Sequence, residues 1–222
     1  MARGLLVPLL SKLSRGDSFV STLALPFADA ELEAADPLFA SAPFTAMFGR
    51  IQSVRTDTYS LWGHSLAVGM TSLRLARALE LDLETCVFAY FGGVLHDVGK
   101  SMSRLETLFK VGPLDGAEMA HIRQHPADGA RMLEGVCPRR LVEAVRNHHE
   151  LYDGSGYPDR LVGDATPLLA RVVGVADYFE ALREHRVYRP GRGKSEASRM
   201  LAREAEAGRL DPSIVMALLR IA

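Results

Sequence analysis

From Thr58 onward, apolar residues return at every third or fourth position, and this spacing constrains the fold more than any other feature of the sequence. Trp62, Leu66, Met70, Leu73, Ala76 and Leu79 share one face of a helix that runs to about Glu80. The same reading predicts helices at about 84–97, 101–110, 115–123, 126–134, 138–148, 166–185, 194–207 and 212–221. Val172, Val173 and Val175 alone would suggest a strand. Leu168, Leu169, Val172, Val175, Ala176 and Phe179 fit helical spacing better, so the expected class is all-α. Gly92 and Gly93 inside the second helix cost ~1 kcal/mol each relative to Ala. Close approach of a neighbouring helix would offset that cost. Gly99 stands where a left-handed residue would end the helix.

Composition narrows the function. A net charge of −1, from 26 basic and 27 acidic residues, argues against a nucleic-acid polymer as partner. A phosphate-bearing substrate must then be small and held by a local basic pocket. Cys86 and Cys137 are too few for a disulfide framework and read as buried small hydrophobes in a reducing compartment. The longest apolar stretches, Cys86 to Leu95 and Leu168 to Val175, fall short of the ~20 residues that span a bilayer. Pro8 breaks the apolar start and no small-residue cleavage site follows, so a signal peptide is not expected. The expected location is the cytoplasm. Residues 1–50 hold Pro8, Pro26, Pro37 and Pro43 and no long periodic segment. Residues 1–57 therefore read as an accessory segment of short helices capping a main domain at 58–222.

Five of the seven histidines stand out by position. His64 lies on the first long helix, His96 beside Asp97, and His148 beside His149. His125 precedes Pro126 at the first turn of a helix, where the missing N–H does no harm. Asp177 sits in an otherwise apolar helix and needs a cation nearby if buried. Imidazole and carboxylate together suit Zn, Fe, Mn or Ni. Seven such groups exceed what one ion takes and fit two ions sharing a carboxylate. His121 and His125 stand at i and i+4, a spacing that can also serve one metal, but His121 reads as a surface residue.

These residues resemble a known family. His96 to Lys100, HDVGK, is similar to the HDxGK core of HD-domain metal-dependent phosphohydrolases. His148 to Pro158, HHELYDGSGYP, resembles the signature of their HD-GYP subfamily, and His125-Pro126 with Gly129 resembles its HP-x-x-G. VADYFEAL, from Val175 to Leu182, and Arg186 to Arg189, RVYR, resemble its two following elements. The resemblance covers roughly residues 58–222. It implies a bundle of about five core helices, with extra N- and C-terminal helices.

The resemblance also implies roles. His64, His96, Asp97 and Asp177 would hold one divalent ion, and His125, His148 and His149 a second, with Asp97 bridging. Fe or Mn would come ahead of Zn or Ni. Lys100 would contact phosphate, and Arg186 and Arg189 would hold the substrate's other phosphate. Tyr157 and Pro158 belong to the loop beside the site. Where some members carry a Glu that helps hold a third metal, this chain has Ser60, which favours two ions. Ser103-Arg104, Val111, Val187 and Glu180 also depart from the pattern, without touching a matched ligand.

The implied activity is hydrolysis of cyclic di-GMP to linear pGpG, with GMP as a further product, by a hydroxide bridging the two ions. The alternatives are hydrolysis of another nucleotide, or a catalytically weak sensor or interaction module. A second copy of the chain or a signalling protein is a further partner. Glu150 is a candidate acceptor for the outer nitrogen of a ligand imidazole.

Overall fold

The computed structural model describes residues 42–54, 60–184 and 191–222. Among them no strand forms. The long helices are α1 (Ala42–Ser53), α2 (Leu61–Ala78), α3 (Leu83–Leu95) and, after a 3-10 turn at Val98–Met102, the short α4 (Leu105–Leu108). Then come α5 (Gly116–Ile122), α6 (His125–Leu133) and α7 (Arg139–Asn147). A second 3-10 turn at Gly163–Ala165 leads to α8 (Leu168–Arg183), α9 (Lys194–Glu206) and α10 (Pro212–Ile221).

Helix α3 is the centre. Every residue from Thr85 to Leu95 is buried, as expected of a helix apolar on all sides. The Asp82 side chain starts it by accepting from the Thr85 N–H. Helices α2 and α3 form the most extensive pair, and α8 packs across both. Their crossing explains a costly glycine: a Cβ on Gly93 would lie 2.7 Å from the Gly69 backbone. The expected close approach is therefore real. Helix α7 joins α3 and α8, and α6 packs on α7 and on the first 3-10 turn. Helices α2, α3, α6, α7 and α8 make the core, with α9 and α10 added outside, as expected from the sequence.

One sequence expectation needs correction. Gly99 does not end α3, which stops at Leu95 with His96 as its cap; Gly99 lies within the 3-10 turn. Helix α1 buries Met47 and Ile51 against the core, with Val54 just after it. The rest of the 1–57 segment, 1–41 and 55–57, lies outside the described residues. Among the described residues no helix is long and apolar enough to cross a membrane.

Candidate metal centre

Most of the expected ligands stand at helix ends. His96 caps α3 and Asp97 follows it. His125 opens α6, and His148 caps α7 with His149 next. His64 lies in the first turn of α2, and Asp177 midway along α8. Ser60 caps α2, its side chain accepting from the Gly63 N–H.

Three of the histidines are aimed by one local device. The Nδ1–H of His96 donates to the Gly93 carbonyl at 2.7 Å, that of His125 to Ile122 at 2.7 Å, and that of His148 to Val145 at 2.7 Å. Each carbonyl lies three residues back. Because a carbonyl only accepts, the proton sits on Nδ1, and Nε2 of the neutral ring keeps its lone pair for the site. His64 has a different neighbour: its Nδ1 faces the Glu184 carboxylate at 3.7 Å.

The lone pairs converge. His125 Nε2 lies 3.0 Å from Asp97 Oδ1, and His96 Nε2 lies 3.1 Å from Asp97 Oδ2. Asp177 Oδ1 is 3.0 Å from His64 Nε2 and 3.6 Å from His96 Nε2. Asp97, His125, His148 and His149 each offer one atom within 4.8 Å of the others, and so do His64, His96 and Asp97. Asp97 thus faces a different histidine set with each oxygen. Lys100 Nζ lies 2.6 Å from Asp97 Oδ2, so the lysine is anchored to the carboxylate that joins the sets.

Closeness of His125 to Asp97 depends on Gly99. A Cβ there would stand 2.0 Å from the His125 carbonyl oxygen, so no other residue lets α6 approach the turn after Asp97. The sequence marked Gly99 for the wrong reason, since its task is close approach.

Burial sets the charge states. It pushes the His149 imidazole down to about 3, with the His125 charge adding to the effect, and His148 goes well below the ordinary value for the same leading reason. Both are neutral donors at pH 7. Burial opposes ionisation of Asp97 and Asp177, but the neighbouring histidines outweigh it and hold both carboxyls low, with Lys100 helping at Asp97. At His96 burial is outweighed by Asp97 and Asp177, which raise the imidazole. Two carboxylates held low beside the neutral His148 and His149, in a largely buried cluster, make an environment suited to cations. Asp97 Oδ1 and His96 Nε2 are buried without a hydrogen-bond partner of proper geometry. Such orphaned atoms in a native core call for an explanation, and divalent metal ions fit these donors.

The cluster floors a cleft of about 410 Å³. Lys100, His149 and Tyr157 line it, together with Tyr152, Arg171 and Arg209. The Tyr157 ring stacks on His149 with centroids 4.9 Å apart. The backbone holds it there, the Tyr157 N–H donating to the His149 carbonyl at 3.1 Å.

Glu150 requires correction. It reaches no imidazole: its Oε1 accepts from the Asp159 and Arg160 N–H groups at 2.6 and 3.0 Å, and its Oε2 from the Leu161 N–H at 3.1 Å. It shapes the loop that carries Tyr157. Arg186 and Arg189 lie outside the described residues, as does His185. His121 is half-buried and belongs to no ligand group, despite its i, i+4 relation to His125. Arg123, which the sequence did not single out, lines the cleft.

Comparison with known proteins shows the family and the fold. Residues 46–214 match a family described as HD domain. The chain is 36% identical over 158 residues to 3'3'-cGAMP-specific phosphodiesterase 1 of Vibrio cholerae serotype O1, a match covering 71% of this chain and 37% of that protein. It is 34% identical over 177 residues to a cyclic di-GMP phosphodiesterase of Pseudomonas aeruginosa, covering 79% and 42%. The chain thus spans about two fifths of the length of these curated relatives. Among solved structures, the HDG"Y"P protein Bd1817 of Bdellovibrio bacteriovorus aligns with a TM-score of 0.63 at 20% identity, over 86% of this chain and 61% of that one.

Proposed function

The chain belongs to the HD-domain family, with the HD-GYP signature, and on that premise we propose that it is a phosphodiesterase for cyclic dinucleotides, cyclic di-GMP first among them. One observation carries the reading: Asp97 turns its two oxygens toward two histidine sets at the floor of a cleft. His64, His96, Asp97 and Asp177 would hold one divalent ion, and Asp97, His125, His148 and His149 the other. Fe and Mn lead the candidates, and the donor chemistry admits Zn and Ni. Bound divalent ions supply an acidified water and offset charge on the phosphoryl oxygens.

The chain's own groups do the rest. The His148 and His149 imidazoles present lone pairs without a prior proton loss, because burial has already discharged them. Lys100 holds Asp97 in place and sits on the cleft wall, where its ammonium adds to the electrostatic stabilisation of a phosphoryl oxygen. Tyr157, fixed against His149, bounds the reacting phosphate on one side and limits water. Arg186 and Arg189 are assigned the substrate's other phosphate from the motif alone. The phosphohydrolase unit is taken as 58–222, with 1–57 accessory, and its place of action as the cytoplasm, in keeping with Cys86 and Cys137 as thiols rather than a disulfide.

The test is incubation of the protein, loaded with Mn or Fe, with cyclic di-GMP, and chromatography of the products. Linear pGpG, with GMP accumulating later, is the expected result. Cleavage of other phosphodiesters without any turnover of cyclic di-GMP would overturn the substrate assignment. A relative named for 3'3'-cGAMP gives a second reading a specific basis, so rates on both dinucleotides are to be compared.

A further inference from the structure

The cleft holds four basic residues whose positions are described, and three are already committed. Lys100 is paired with Asp97, Arg171 with Asp211 and Asp164, and Arg209 with Glu204. Arg123 differs. It lines the same cleft from the end of α5, two residues before His125, and among the described residues no carboxylate pairs with it. Its guanidinium lies 5.2 Å from the centre of the Tyr157 ring, which itself stacks on His149. The backbone under it is fixed, the Arg123 N–H donating to the Met119 carbonyl at 3.0 Å.

This makes a graded wall: a metal-facing imidazole, an aromatic ring, then a cation with its donors uncommitted. A guanidinium held on a ring face keeps its five N–H donors directed at the rim, which suits a phosphate. A cyclic dinucleotide carries two phosphates, and only one can occupy the ligand cluster and Lys100 at a time. We propose that Arg123 joins Arg186 and Arg189, assigned above from the motif, in binding the second, non-scissile phosphate of the substrate, and so helps select cyclic dinucleotides over diesters with a single phosphate. The proposal rests on the phosphodiesterase reading above and adds to it a residue that the motifs do not contain.

The test compares two kinds of substrate in the metal-loaded full chain, parent against Arg123→Ala and Arg123→Lys. Cyclic di-GMP and 3'3'-cGAMP have two phosphates; bis(p-nitrophenyl) phosphate has one. Arg123→Ala is expected to raise KM for the preferred dinucleotide about tenfold with kcat within about twofold, because the lost contact is made equally in the ground and transition states. Its kcat/KM for bis(p-nitrophenyl) phosphate should stay within about twofold, and Arg123→Lys should recover part of the dinucleotide KM. Bound metal and melting temperature are measured alongside and should not change. An unchanged dinucleotide KM, or an equal loss on both substrates, overturns the role of Arg123 alone. Failure of the parent to cleave either dinucleotide while cleaving the model diester overturns the phosphodiesterase reading and this inference with it.

Discussion

The floor and the roof of the cleft are built in opposite ways. On the floor, three ligand histidines are aimed by carbonyls three residues behind them, so each orientation is settled within one or two turns of chain. The roof is the irregular stretch from Leu151 to Thr166, and distant tethers hold it. The buried Glu150 carboxylate gathers three backbone N–H groups nine to eleven residues away. Arg146 pairs with Asp159, the Tyr152 N–H reaches the Arg209 carbonyl, and Arg171 ties Asp164 and Asp211 together. The contrast suggests a division of labour. On the proposed function, ligand geometry, which needs tight positions, falls to helix ends, and substrate contact to a loop whose shape can vary without moving the ligands.

Breaking the floor should cost most. Asp97→Asn removes the charge shared by both histidine sets, and activity should fall by at least about 10³-fold, beyond the roughly 10–100-fold typical of outer partners. Elemental analysis should find fewer metal ions per chain, while helix content by circular dichroism is retained. Full metal content in that variant would refute the bridging role. Gly99→Ala comes next. The added methyl cannot fit beside the His125 carbonyl, and the overpacking should cost about 3 kcal/mol and loosen His125. Thermal melting and metal content report both effects, and a parent-like melting temperature would show that the approach of α6 is not tight.

That division also governs what the sequence could reveal. Helix-period spacing and motif position gave the helices of the core and all seven donors gathered on the floor, because both are locally encoded. The roof was less legible. Glu150 looked like a partner for an imidazole next door in sequence, but its partners, Asp159 to Leu161, are chosen by how the loop folds back. Arg123 carried no distinguishing signal among 22 arginines, since only the placement of Tyr157 makes it special. A short helix before residue 58 was expected, but the place of α1, marked by the spacing of Met47, Ile51 and Val54, was not.

Breaking the roof should separate binding from metal. Glu150→Ala strands three backbone donors, each worth about 1–3 kcal/mol where it stays buried. The loop then loses its shape and Tyr157 its place. Catalytic efficiency on a cyclic dinucleotide should drop roughly tenfold, chiefly through KM, with the metal ions still bound. Limited proteolysis should cut between Leu151 and Thr166 faster than in the parent. Loss of metal in Glu150→Ala would mean that floor and roof are one unit.

The mildest probe is acid. Burial alone would raise the Asp211 carboxyl, but hydrogen bonds from Ser213 and Arg171 outweigh it and hold the group below its ordinary value. A depressed carboxyl contributes stability that is fully present above its unfolded pKa, near 3.9, and is lost as pH falls through the lower folded value. The tether from Arg171 to α10 should therefore weaken only below about pH 4. Asp211→Asn keeps the oxygen that caps α10, where Ser213 and Ile214 donate, but removes the titration. The expected outcome is a lower melting temperature than the parent at pH 7 and a gap that narrows by about 3 °C toward pH 3.5. A gap independent of pH would place the stabilising charge elsewhere. Because this tether lies at the loop's far end, metal content should not follow it, in contrast to every substitution on the floor.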